Sequence, residues 1–199
     1  MNSDELRKWV HDTTKETVWR DGLDGVHFDG NNIDTGDELT DWWGCSEKKR
    51  NQESLAKLFA RAYSDKLCYS YELNQWLEYN GKYWAIDLSD GRSALAACIN
   101  SLIAIITSED VPEFTGRNVE EQFEKWQKNH DNWLGWMVKQ NNALNQNGIL
   151  TNARSFAYVP LRKFDANQWL LNCNNGTIDL KTGELHDFDP NDRLTNYID

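Results

Sequence analysis

The chain has 199 residues, a mean hydropathy of -0.77 and a formal net charge of -11. That length suits one domain, or one domain with an extension, and its ten Trp, seven Tyr and seven Phe can fill a core, so wholesale disorder is excluded. The negative balance excludes a protein that coats nucleic acid nonspecifically, because phosphate binding is driven by Lys and Arg releasing counterions.

In chain order, Ser3 is placed to cap a first helix, with Leu6, Trp9 and Val10 on one face. The Asp-, Gly- and Asn-rich stretch 21–41 then reads as a long loop. From Asn51 the pattern predicts a helix, with Leu55, Leu58, Phe59 and Ala62 at helical spacing. CYSYELNQWLEYNGKYWAID, residues 68–87, switches to strand composition and predicts a small antiparallel meander carrying Trp76 and Trp84. Asn80-Gly81 is expected to form its type I′ turn, since these two residues tolerate positive φ best.

Ser93 to Thr107 predicts an apolar helix, and Val111 to Gly116, with Pro112, breaks it. Asn118 is expected to cap a helix over VEEQFEKWQKNH, followed by another over DNWLGWMVKQNNALNQ that ends near Gly148. Phe123, Trp126, Trp133, Leu134, Met137 and Val138 form a face wide enough for a core. The last third turns to β structure: FAYV, WLLNCNN, TIDL and ELHDF, punctuated by Asn175-Gly176 and Thr182-Gly183. The expected fold class is α+β, a mainly helical body with an internal hairpin or meander and a C-terminal β region. Residues 1–40 are expected to stand apart from a domain at 41–199.

Charge is unevenly placed. Residues 1–40 hold ten acids against four bases, a balance of -6, so the other 159 residues supply the remaining -5. Between Asp131 and Asp165, by contrast, 33 residues contain no Asp or Glu but include Lys139, Arg154, Arg162 and Lys163. If the chain touches nucleic acid, this stretch is the place: those four cations would contact phosphates and Phe156 or Tyr158 would stack on bases.

The tail FDANQWLLNCNNGTIDLKTGELHDFDPNDRLT resembles the domain immediately ahead of the superfamily-3 helicase core in phage, plasmid and poxvirus-type primase-helicases. Asn175, Gly176, Asp179, Leu180, Thr182, Gly183, Glu184, His186, Pro190 and Asp192 carry the resemblance. More loosely, ELTDWWG and SLAKLFARAY are similar to the family's acidic start and first helix. Trp76, Tyr79, Gly81, Trp84 and Asp87 are similar to its hairpin, whereas residues 1–39 match nothing recognisable. Trp76, Gly81, Trp84, Asn175, Gly176, Asp179, Thr182 and Gly183 have structural roles on this reading: turns, turn-backbone bonding and core.

The resemblance implies an accessory role that links or assembles priming and helicase domains, partners in those domains, assembly into the parent helicase's hexamer, and contact with single-stranded DNA. In the family a motor domain begins soon after this tail. No GxxxxGK[ST] phosphate loop occurs in the chain, no primase centre is evident, and no catalytic residue, cofactor or metal is expected. His186 with Asp187 and Asp189 is interrupted by a Pro190 turn. A calcium loop over Asp187, Asp189 and Asn191 fails because the sixth and twelfth positions are Asp192 and Ile198 rather than Gly and Glu.

An alternative reading is a stand-alone acidic phage protein acting as inhibitor or adaptor. It rests on Asp21, Asp24, Asp29, Asp34, Asp37 and Glu38, strung along one segment where a basic groove would attract them. No apolar run is long enough for a membrane span and no signal core opens the chain, so a cytoplasmic location in a bacterial host is expected. Cys45, Cys68, Cys98 and Cys173 are widely spaced without CxxC and are expected to be reduced.

Overall fold

The computed structural model describes residues 50–108 and 110–198. The first helix, the acidic segment, Cys45 and thus the whole of 1–40 lie outside the described residues. The rest mixes four α-helices with two antiparallel three-stranded sheets, which is the expected α+β class. It falls into two compact units, the first containing 50–55 and Leu95–Asn147, the second Ala56–Ala94 and Gly148–Asp199.

Helix α1 (Gln52–Ala62) starts where Asn51 Oδ1 accepts from the Ser54 amide at 2.9 Å, a side-chain N-cap. In unit 2 its Leu58 and Phe59 are buried, and Phe59 packs edge-on to Trp76 at 6.1 Å. Strands β1 (Leu67–Ser70), β2 (Gln75–Tyr79) and β3 (Trp84–Ile86) make the expected meander. Its second turn differs from expectation. Tyr79 pairs with Trp84, leaving four loop residues, and only Gly81 of the Asn80-Gly81 pair has positive φ (93°). Asn80 instead accepts at Oδ1 from the amides of Lys82 and Tyr83, both at 3.0 Å, so a side chain holds the turn that a type I′ backbone would otherwise make.

Asp87 stops β3 and starts the next helix: its carboxylate accepts from the Ser89 amide (2.8 Å), the Ser89 hydroxyl (3.0 Å) and the Gly91 amide (2.6 Å). Helix α2 (Arg92–Ser108) follows, and in unit 1 it buries Leu95, Cys98, Ile99, Leu102 and Ile106. Helix α3 runs unbroken over Val119–Gln140, where the sequence suggests a boundary near His130. The reason is that His130 is buried and satisfied, its Nε2 donating to the Ile106 carbonyl at 2.9 Å, so the polar residue does not end the helix. Asn118 does not cap with its side chain, whose amide donates to Glu121 at 3.2 Å. On the expected core face Trp133 and Met137 are buried and Trp126 and Leu134 half-buried, whereas Phe123 and Val138 are exposed.

The break falls at Asn141-Asn142. Asn142 and Asn145 side-chain amides both donate to the Lys139 carbonyl (2.6 and 2.8 Å), and Asn142 Oδ1 caps the Asn145 backbone amide at 2.9 Å. Helix α4 (Ala143–Phe156) therefore starts late and passes through Gly148 rather than ending there. FAYV yields only a single parallel bridge, Tyr158 to Tyr69, because Phe156 is still helical.

Strands β4 (Leu170–Cys173), β5 (Gly176–Asp179) and β6 (Leu185–His186) form the C-terminal sheet, and its second turn falls at the expected Thr182-Gly183. Its first turn is Asn174-Asn175 rather than the expected Asn175-Gly176, because Gly176 already pairs with Cys173 as the opening residue of β5. Its register places Asn172 and Thr177 opposite each other and buries both, with the Thr177 hydroxyl donating to Asn172 at 2.7 Å. The apolar row Leu171, Ile178, Leu185 lies on the other face, where Leu185 is exposed. No helix among the described residues is long and apolar enough to cross a membrane.

Cys68, Cys98 and Cys173 are free. Burial pushes the Cys68 and Cys98 thiols up to about 12, in Cys68 against the opposing pull of Arg193. Alkylation of native protein at pH 8, mapped by mass spectrometry, is accordingly expected to modify half-buried Cys173 while sparing Cys68 and Cys98. Equal labelling would contradict this burial.

Candidate nucleic-acid interface

The end of α4 and the segment after it set out most of the residues nominated from the sequence. Arg154, in the last helical turn, lays its guanidinium over the buried Tyr69 ring at 4.8 Å. Phe156, two residues on, is exposed, with the Lys57 ammonium 5.3 Å from its ring centroid. The Tyr69 amide then donates to the Ala157 carbonyl and the Val159 amide to the Tyr69 carbonyl, both at 2.9 Å, which fixes Tyr158 beside β1. Pro160, at φ -64°, leads into a 3-10 turn, Leu161–Lys163, that leaves Arg162 and Lys163 exposed. Lys139 is exposed too but belongs to unit 1, whereas the other five nominated residues belong to unit 2.

Three residues that the sequence did not single out complete the surface. Tyr71, 52 % exposed, lies 5.1 Å from Tyr158 by ring centroids and is edge-on to Tyr69 at 5.1 Å. Aromatic faces thus run from buried Tyr69 through Tyr71 to Tyr158, which is 40 % exposed. Lys57 supplies a further cation beside Phe156. Glu72 is the opposing element: its carboxylate accepts from the Tyr158 hydroxyl (3.0 Å), the Leu161 amide (3.4 Å) and the Ser70 hydroxyl (3.1 Å). Its own backbone amide, and then these donors, hold its carboxyl below the ordinary Glu range, so it is ionised at neutral pH. Desolvation and the bond to Glu72 raise the Tyr158 phenol in turn. Nothing in a local sequence window links Tyr71 and Glu72 to Tyr158; the bridge between β1 and the post-α4 segment does.

Such a surface offers two exposed aromatic faces, with exposed Arg162 and Lys163 a few residues beyond Tyr158, and a charged carboxylate that ties one face in place. Stacking on it is chemically reasonable for any base, and the Glu72 charge works against phosphate approaching closely.

The other nominated residues lie in the core, the C-terminal sheet and the turns. Trp76 and Trp84 are 1 % and 2 % exposed. The Trp84 indole donates to the Pro190 carbonyl at 2.9 Å and its backbone amide to the Leu194 carbonyl at 2.8 Å, so the tail is bonded to the first sheet. The Arg193 guanidinium lies over the Trp84 and Phe164 rings at 5.6 and 5.7 Å. Asp179 Oδ1 accepts from the Lys181 amide at 2.7 Å, Thr182 Oγ1 from the Glu184 amide at 3.2 Å, and the Gly183 amide donates to the Asp179 carbonyl at 2.7 Å. Asn175 sits in the two-residue connection between paired Cys173 and Gly176, and Gly81 occupies the turn described above.

His186 Nδ1 donates to the Asp187 carbonyl at 2.8 Å, and its Nε2 is 4.0 Å from Asp192 Oδ2. Among the described residues no group of three or more His, Cys, Asp and Glu side chains could hold a metal ion.

A family model described as "D5 N terminal like" matches residues 56–199. No curated protein and no solved structure gives a match.

Proposed function

We propose, on the premise that the chain belongs to the D5 N terminal like family, the N-terminal domain of phage, plasmid and poxvirus D5-type primase-helicases, that it is an accessory module of a replicative primase-helicase. In this role it links or assembles the priming and helicase domains, within the hexamer of the parent helicase, and does no chemistry of its own. Unit 2 also guides single-stranded DNA past the Tyr71 and Tyr158 faces, with Arg162 and Lys163 toward phosphates. The observation that carries the DNA contact is the exposed Tyr71–Tyr158 pair at 5.1 Å, with exposed Arg162 and Lys163 following Tyr158 in the chain.

Anisotropy with a labelled oligo(dT) across a salt series tests it. Tyr71→Ala with Tyr158→Ala is expected to weaken binding by about 1 to 3 kcal/mol per stacked base. Arg162→Ala with Lys163→Ala should flatten the log–log salt slope by about 0.7 for each phosphate that is no longer neutralised. Glu72→Gln keeps an acceptor for Tyr158 and removes the charge, so it should tighten binding at low salt. No binding at the lowest salt, or a slope that none of these changes moves, would sink the DNA contact.

A further inference from the structure

Unit 2 contains a cleft of about 310 Å³ that the DNA contact does not use. Leu73, Leu77, Ile86, Leu161 and Phe164 form most of its wall. Its mouth is unusually apolar for a surface, with Leu73 at 40 %, Ile86 at 49 % and Leu161 at 39 % exposure. The polar lining is already satisfied within the fold: Asp165 accepts from the Thr195 amide at 2.8 Å and from its hydroxyl at 2.5 Å.

Along the cleft runs the outer edge of β3, the last strand in the order β1-β2-β3. The register of the pair fixes which of its groups face outward. The Asp87 amide donates to the Trp76 carbonyl at 2.9 Å and the Asn80 amide to the Tyr83 carbonyl at 3.1 Å. By antiparallel alternation Ala85 therefore bonds inward to Glu78, whereas Trp84 and Ile86 turn their amides and carbonyls outward. The outward Trp84 amide is taken by the Leu194 carbonyl at 2.8 Å, so one strand-like bond already forms on this edge. Among the described residues, the outward amide and carbonyl of Ile86 have no such backbone partner. An open edge beside an apolar cleft is the geometry into which an extended peptide adds as a further strand. Charge selects among such peptides, because Arg162 and Lys163 are exposed and directly follow Leu161 of the wall, while the Glu72 carboxylate at Leu161 is engaged by the Tyr158 and Ser70 hydroxyls and the Leu161 amide.

We propose that this cleft and the Ile86 edge dock an extended segment of a partner protein, whose alternate apolar side chains fill the cleft and whose acidic residues meet Arg162 and Lys163. The assignment goes beyond the DNA contact and does not rest on it.

The test uses the full chain and a fluorescein-labelled octapeptide, two Asp followed by alternating Leu and Thr, read by anisotropy. Saturable, salt-sensitive binding is expected. Ile86→Pro should weaken it about tenfold, since Pro deletes the outward amide and an edge position tolerates it without loss of the inner ladder. Arg162→Gln with Lys163→Gln should weaken it and reduce its salt dependence. Should Ile86→Pro change the far-ultraviolet circular dichroism, Leu161→Glu at an exposed position serves as the block instead.

No binding by the wild type, or affinity unchanged in both Ile86→Pro and Leu161→Glu, overturns the proposal. So does an oligo(dT) that displaces the peptide and is itself weakened by Ile86→Pro, which would give the cleft to nucleic acid. Loss of peptide binding in Ile86→Pro with oligo(dT) affinity intact supports it. Failure of oligo(dT) to bind the wild type, with peptide binding kept, counts against the DNA contact alone.

Discussion

Gly176→Ala is expected to unfold the C-terminal sheet or to destabilise it by about 3 kcal/mol or more. Gly176 opens β5 opposite Cys173 at a φ of 148°, a backbone conformation that L residues rarely adopt. It is also closely packed: a Cβ there would be driven into the backbone carbonyl of His186 on β6 and would lie 3.1 Å from Leu185 Cδ1. A carbonyl in a paired strand cannot swing aside as the end of a long side chain can. Relief would require β6 to move away from β5, taking the Thr177–His186 pairing with it. Gly183→Ala is the natural comparison, because its φ of 75° is also positive but nothing lies within 4 Å of the added methyl. It should cost only the conformational strain, about 1 kcal/mol. Urea melts of the two variants against wild type separate strain from collision. Equal, small losses would show that β6 does not press on Gly176.

Trp84→Ala is expected to cost about 3 to 5 kcal/mol, a large share of the roughly 5 to 15 kcal/mol that holds a typical domain together. The side chain is 2 % exposed and meets Tyr79 at 5.7 Å and Phe164 at 5.9 Å, while Arg193 covers its face. Removing it leaves a cavity bounded by rings and the guanidinium, which cannot collapse without shifting the sheet. Trp84→Phe isolates the polar part. It keeps much of the packing but leaves the Pro190 carbonyl without its 2.9 Å donor, which should cost about 1 to 3 kcal/mol. The distinguishing readout is local. Both variants should raise amide exchange along residues 187–195 more than in β4, since the tail is fastened to the first sheet at Trp84. Uniform exchange through the domain would mean that the tail is held elsewhere.

Both positions lie in the part of the chain that the family model matches, and both are packed inside the fold. Gly176 and Trp84 belong to the pattern that resembles the primase-helicase family; Gly176 packs closely against β6 and Trp84 is 2 % exposed. The residues proposed to meet DNA, Tyr71, Tyr158, Arg162 and Lys163, face solvent instead, and only Tyr158, Arg162 and Lys163 fall within the acid-free stretch.

Local chemistry determined much of this protein from the sequence alone. Helical spacing announced α1 and α2, turn residues announced the connection at Thr182-Gly183 and, one residue late, the one between β4 and β5, and the tail's pattern announced the family. Each of these depends on neighbours within a few residues, so a linear reading reaches it. Tertiary structure decided the rest. Whether His130 ended a helix depended on the Ile106 carbonyl, 24 positions away, that accepts from its ring. Whether Asn172 and Thr177 faced inward depended on their bonding each other across β4 and β5, which reverses the usual polar-out expectation. The Tyr71–Tyr158 surface and the Ile86 edge arise where distant segments are laid side by side, through the Tyr69–Tyr158 bridge and the order of the first sheet. A chain's alternation states which residues are apolar; the partners that satisfy its polar groups decide which side of each element faces water.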